Sequence, residues 1–200
     1  PMDEMISNVL EPTGVTLDEL KEKHAVCVVD DNYIPFKDGE FKTKSKKAEF
    51  WVAAWKKDGF NPIATYARAE EDARNGDELA QKYPLFSVQR KTYRSVHSTF
   101  NNLEWMNEVC DQAPVILINT ADAEARGIKD GDKVVVFNDR GEHHGIAEVG
   151  ERIKQGVVGL QNGWWEQQGG SSSYVTNDKW KTLGGTHCCN QTLIEVKKEA

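Results

Sequence analysis

The sequence predicts a mainly β protein with short helices: a closed barrel over residues 83–200, preceded by an irregular lead-in. Three observations carry this. Short apolar or alternating runs recur at residues 85–88, 115–118, 134–138, 144–149, 157–160 and 192–196. Each is about the length of a strand. Turn signals separate them, namely Asp130-Gly131-Asp132, Asp139-Arg140-Gly141 and Gln155-Gly156. Many short strands joined by glycine turns favour closure, because a closed barrel leaves no unpaired edge.

The lead-in reads differently. Thr16-Leu17-Asp18-Glu19 has capping-box spacing, with Thr16 capping a short helix and Glu19 reaching back, and Leu17, Leu20 and His24 continue the helix. The apolar run at 25–30 predicts a strand. Residues 1–35 thus hold short elements with no apolar partner of their own, as at the edge of a larger body. Residues 36–82 are polar, with Lys42, Lys44, Lys46 and Lys47 forming a basic cluster. A helix over 64–75 would have a thin apolar face, so an extended, solvated connection is the preferred reading of 36–82. Connections this long are uncommon inside one compact domain.

The barrel region is more regular. Residues 115–118 form an apolar run of buried-strand length. Asn119 or Thr120 then caps a short helix with Asp122 and Glu124 in its first turn, and Gly127 stops it. Gly131 supplies a turn, and Asp139-Arg140-Gly141 folds 134–138 back onto 144–149 as a hairpin. His143 and His144 on that hairpin are expected at the surface.

Composition excludes some functions. The net charge is −7, which argues against a nucleic-acid or membrane-surface binder, since either needs a dominant basic face. The charged fraction of 28% is ordinary for a folded chain. No apolar run approaches the ~20 residues that span a bilayer. Residues 1–10 lack the basic-then-apolar pattern of a signal peptide. The four cysteines, Cys27, Cys110, Cys188 and Cys189, form no CxxC pair. Three adjacent residues cannot easily face one ion, so His187-Cys188-Cys189 is expected to be a loop with partly buried thiols. Neither a metal-ligand set nor a catalytic triad or carboxylate pair stands out.

The run from Val115 through Ile118-Asn119, Asp122-Ala123, Arg126-Gly127-Ile128 and Asp130-Gly131-Asp132 to Val134 closely resembles the strand–helix–strand signature of the molybdopterin dinucleotide-binding domain. That domain closes the catalytic subunits of molybdopterin oxidoreductases of the dimethyl sulfoxide reductase family. Asn138-Asp139-Arg140-Gly141, Ile153, Gly156-Val157-Val158, Gly163-Trp164-Trp165 and the final Thr192-Leu193-Ile194-Glu195-Val196 continue the resemblance in order. So do Thr43 to Phe50, Tyr83-Pro84-Leu85, the His97-Ser98 loop and Gly14 to Leu20 upstream. Within the family, the His97-Ser98 loop and the hairpin most resemble the dimethyl sulfoxide reductase catalytic chain.

The resemblance implies a double-psi β-barrel of the aspartate decarboxylase-like kind. It divides the chain into 1–35, a remnant of a preceding catalytic-subunit domain, 36–82, an extended connection, and 83–200, the cofactor-binding barrel. It implies a bis(molybdopterin guanine dinucleotide) cofactor carrying molybdenum or tungsten. An iron–sulfur cluster, where there is one, would lie in parts of the parent outside this chain. Expected partners are the remaining domains of the catalytic subunit, an iron–sulfur electron-transfer subunit and a membrane anchor subunit. The parent would be periplasmic or membrane-associated through those partners, in a bacterium or archaeon. The parent would perform oxygen-atom or two-electron transfer, and this segment alone would be inactive. The alternative is a freestanding small cofactor-binding subunit, which would not need the lead-in segments.

A ligand with pyrophosphates, a pterin and a guanine calls for backbone N–H groups, a few cations, and amides or hydroxyls on a rigid frame. The stretch after the first barrel strand has that composition, and Gln89, Arg90, Lys91, Thr92, Ser95, His97 and Ser98 are the expected contacts. Ser173 stands where the family usually places an asparagine, and a hydroxyl supplies only part of an amide's bonding. Asn190 and Gln191, just before the last strand, complete the expected set. Trp164 and Trp165 either stack on a ring or pack in the core. The Arg126–Asp132 signature is expected to be mainly structural, and no residue here is expected to be catalytic.

Overall fold

The computed structural model describes residues 2–30, 32–92, 96–109, 111, 113–180 and 183–199. The chain forms two compact units, residues 1–66 and 67–200.

In the first unit, helices α1 (Met2–Leu10) and α2 (Leu17–Lys23) precede irregular chain and a short α3 (Ala53–Lys57). Thr16 caps α2 by accepting the Glu19 amide at 3.1 Å, as its spacing predicts. The second half of the expected box is replaced: the Glu19 carboxylate turns forward to Lys23 at 2.8 Å, an i,i+4 pair. His24 does not continue the helix but ends it, at φ 61. Residues 25–30 form no strand, and Val28 and Val29 are exposed. An apolar run alone does not make a strand, because its N–H and C=O groups need a neighbour to pair with. Trp51 and Ile63 form an isolated antiparallel bridge.

The second unit begins with a segment that packs rather than wanders. No helix covers 64–75. A single 3-10 turn, Ala73–Asn75, forms there instead, capped by Asp72. Helix α4 (Glu78–Lys82) follows, capped by Asp77. Ala80 and Tyr83 pack with Leu193, Phe86 and Phe137 against the outer wall of the barrel.

The barrel has six strands: β1 (Leu85–Arg90), β2 (Val115–Ile118), β3 (Lys133–Asn138), β4 (Gly141–Val149), β5 (Val157–Gln161) and β6 (Thr192–Lys198). They close in the order β1-β5-β2-β4-β3-β6. Two pairs are parallel, β1 with β5 and β2 with β4, and the rest are antiparallel. This is the double-psi arrangement expected from the sequence. Alternate residues of each strand point inward. Ile116, Ile118, Val134, Val136, Ala147, Val158, Leu160, Ile194 and Val196 form the core, joined by Ala123 and Ile128.

The strand–helix–turn after β2 is fastened by its own polar side chains. Asn119 caps α6 (Thr120–Glu124) through the Ala121 amide and donates to the Ile153 carbonyl at 2.9 Å. Asp122 accepts the Gly156 amide at 2.6 Å. Arg126 forks onto Glu195 of β6 at 2.6 and 3.1 Å, and Asp132 accepts the Lys129 amide. These contacts hold one end of the barrel together. A further helix, α5 (Glu104–Val109), lies between β1 and β2.

Candidate functional site

Strand β1 sorts its side chains by parity. Leu85 belongs to the barrel core, so Ser87 and Gln89 also point inward. Phe86 packs on the outer wall, and Arg90 shares that outer face.

At the far end of β1, Gln89 joins three parts of the chain. Its Oε1 accepts the Ser172 hydroxyl at 2.8 Å, and its Nε2 donates to Thr176 Oγ1 at 3.4 Å. Its backbone N–H donates to Asn190 Oδ1 at 2.9 Å. Thr176 in turn donates to the Ser172 carbonyl at 2.7 Å. The 171–176 segment therefore lies across this barrel end, fixed by the Gln89 amide. The expected Ser173 is exposed, and its amide donates to Ser171 Oγ. Its neighbour Ser172 is buried and makes the contact to Gln89. Asn190 is exposed beyond its bond to Gln89. Gln191 is half-buried, and its carbonyl accepts from Asn177 at 2.9 Å.

A second cluster lies on the loops after β1 and β5. Lys91 Nζ and His97 Nε2 are 3.3 Å apart. Trp165 Nε1 donates to the Ser98 carbonyl at 3.1 Å. Asn101 Nδ2 donates to the Gly163 carbonyl at 2.8 Å and to Gln168 Oε1 at 3.0 Å. Gly163 has φ +92, and a Cβ there would stand 2.1 Å from the His97 carbonyl oxygen. The backbones of the two loops touch, and only glycine permits it. His97 itself takes a left-handed φ of 54. Thr92 is half-buried, and Ser95 lies outside the described residues.

Arg90 is set apart. Its side chain crosses Gly159, where a Cβ would sit 3.4 Å from Arg90 Cδ, and its guanidinium is 3.6 Å from Glu148. Arg152 also pairs with Glu148. Burial, then Arg152, lowers the Arg90 pKa from its ordinary value. Arg90 thus belongs to an ion cluster on the outer wall, on the opposite face of β1 from Gln89.

His143 is not a surface residue: it is fully buried, while His144 is exposed and pairs with Glu199 at 3.1 Å. On β4, His143 shares inward parity with Gly145 and Ala147. Sequence reading also missed Ser172, Thr176 and Asn101. Ser172 and Thr176 sit four apart in a polar loop, with no local pattern to single them out. The His187-Cys188-Cys189 stretch has Cys188 buried and His187 exposed, its ring edge-on to Trp180.

The match to known proteins decides the family. Residues 85–193 match the model of the Molydopterin dinucleotide binding domain. The chain belongs to this family. The matched span runs from the first barrel strand into the last. "Dimethyl sulfoxide reductase DmsA" of Escherichia coli is 34% identical over 148 residues, covering 70% of this chain and 18% of its own. "Probable oxidoreductase YyaE" of Bacillus subtilis is 32% identical over 196 residues, covering 98% of this chain and 28% of its own. The chain therefore spans less than a third of the length of these relatives. Among solved structures, acetylene hydratase from Pelobacter acetylenicus superposes with a TM-score of 0.74 at 18% identity, over 95% of this chain and 28% of that one. That likeness is one of fold. The cofactor that the family implies for this domain is a molybdopterin guanine dinucleotide with molybdenum or tungsten.

Proposed function

We propose that the loops at the Gln89 end of the barrel form one wall of a bis(molybdopterin guanine dinucleotide) site. The whole protein is then a molybdenum or tungsten oxidoreductase performing oxygen-atom or two-electron transfer, of the dimethyl sulfoxide reductase kind. One observation carries this reading: two loop clusters at the end of β1 and β5 present polar groups from a fixed frame. Lys91, His97, Ser98, Ser173 and Asn190 are exposed there, and the Gln89 and Asn101 bonds hold their loops in place.

The donor set suits the ligand. Lys91 offers a cation for a pyrophosphate, with His97 Nε2 beside it. Asn190 offers an amide to a purine or pterin edge, and the hydroxyls of Ser98 and Ser173 complement it. Gln89 acts as the fastening of the wall, because its side-chain amide already serves Ser172 and Thr176. Arg90 contributes to the outer ion cluster instead. When bound, the cofactor supplies the redox chemistry at its metal, while these residues bind and orient it. The remaining wall would come from other domains of the same polypeptide. An iron–sulfur subunit and a membrane anchor are its proposed electron-transfer partners.

The full-length polypeptide, produced anaerobically with molybdate or tungstate, tests this. The expected result is about one metal and two pterins per chain, the stoichiometry of a bis-dinucleotide site. A folded protein with neither metal nor pterin would sink the reading.

A further inference from the structure

We propose that Arg140, locked by the buried carboxylate of Glu71, is a positioning residue for the 171–176 loop of the cofactor wall. This rests on the function proposed above. Neither residue touches the exposed polar groups themselves; they act through the Val175 carbonyl.

Arg140 stands at the tip of the β3–β4 hairpin. Its two terminal nitrogens bond both oxygens of Glu71, at 2.8 and 2.9 Å. Its Nε donates to the Val175 carbonyl at 3.1 Å. Asn138 Nδ2 donates to the same carbonyl at 2.7 Å and to the Leu193 carbonyl at 3.1 Å. Glu71 is only 6% exposed, and its Oε2 also accepts the Leu193 amide at 2.9 Å. The carboxylate thereby binds the hairpin tip to the start of β6, and the guanidinium carries that hold to Val175.

The loop needs such a hold. Its regular structure is one 3-10 turn, Ser172–Tyr174. It is entered through Gly169 and Gly170, both at positive φ, a conformation that glycine adopts without strain. Gln89 bonds Ser172 and Thr176, and Arg140 with Asn138 bonds the Val175 carbonyl between them, so exposed Ser173 lies within a loop held at each of these points. Arginine suits this task because one planar fork serves two acceptors at once. A lysine at this position keeps the charge but cannot make all three bonds.

The test uses Arg140→Lys and Glu71→Gln in the 200-residue chain. Three quantities are measured: amide hydrogen exchange at 172–177 and at 115–118, the melting temperature, and the affinity for guanosine diphosphate. In both variants exchange at 172–177 is expected to quicken about ten-fold or more, with 115–118 within about two-fold of the parent. The dissociation constant for guanosine diphosphate is expected to rise about ten-fold. Unchanged exchange at 172–177 would overturn the proposal. So would equal loss of protection at both places, which marks a purely structural pair, or unchanged affinity with a loosened loop. If the unsubstituted chain binds no guanosine diphosphate, the exchange measurement decides the clamp by itself, and the functional reading stands or falls with the metal and pterin content of the full-length polypeptide. Glu71→Gln keeps an acceptor for Leu193, and Arg140→Lys keeps the charge, so one variant remains informative if the other does not fold.

Discussion

Replacing Gly163 with alanine should both destabilise the domain and dismantle the loop pair beside Lys91 and His97. Two costs combine. At φ +92 a side chain is strained wherever it sits, and such strain is worth about 1–3 kcal/mol. The new Cβ would also lie 2.1 Å from the His97 carbonyl oxygen and 2.4 Å from its carbon. These are backbone atoms, so no rotamer change relieves the overlap, and the 96–101 loop must move. The Asn101–Gly163 and Trp165–Ser98 bonds, 2.8 and 3.1 Å long, then break. For a domain of this size the melting temperature should fall by roughly 5–10 °C. Trp165 fluorescence should change along with it, and guanosine diphosphate binding should weaken further than the lost stability explains. A variant with the parent's melting temperature and Trp165 emission would show that the two loops do not meet in this way.

Lowering the pH should destabilise the fold through the buried His143. The residue is fully buried on the inner face of β4, and neither ring nitrogen has a hydrogen-bond partner among the described residues. Gly170 lies near the ring, since a Cβ there would stand 3.9 Å from Nδ1. Burial, with His144 adding to it, brings its pKa from 6.5 down to about 4. The fold therefore favours the neutral ring, while the unfolded chain takes up a proton first. The stabilising contribution is complete above pH 6.5 and is lost as the pH falls through 4. The full loss is roughly 3 kcal/mol. Carboxylates titrate over the same range, so the comparison should be with His143→Leu, which keeps the bulk and removes the titration. The parent's stability should drop more steeply than the variant's between pH 6.5 and pH 4. Parallel curves would mean that His143 is hydrated or partnered in the folded state.

Most of the barrel was legible because its strands are short apolar runs ending in turn residues. Val115 to Ile118 and the Asp139-Arg140 turn carry their own local signals, and both formed where expected. What failed were matters of parity and distance. Adjacent residues of a strand face opposite sides, so His143 and His144 cannot both lie on the surface of β4, and His143 takes the inward side. Ser172, which no local pattern singles out, carries the buried bond to Gln89, while the expected Ser173 beside it is exposed. Arg90 and Gln89 are neighbours in sequence and stand on opposite faces of β1, so composition alone could not separate their roles. Glu71 lies in a polar stretch that gives no hint of burial. Its partners, Arg140 and Leu193, are 69 and 122 residues away. The run at 25–30 failed in the other direction, since an apolar segment with no pairing neighbour stays irregular.

We place the proposed cofactor-facing wall at the Gln89 end of the barrel. By the strand register, the opposite end carries an open cleft lined by Asn119, Glu124 and residues 151–155. Titrating guanosine diphosphate into the isotopically labelled chain, and mapping the amide shifts by nuclear magnetic resonance, separates the two. Shifts centred on Lys91, His97, Ser98, residues 171–176 and Asn190 are the expected result. Shifts confined to Asn119 and residues 151–155 would place the ligand at the opposite end of the barrel and rule out the wall at Gln89.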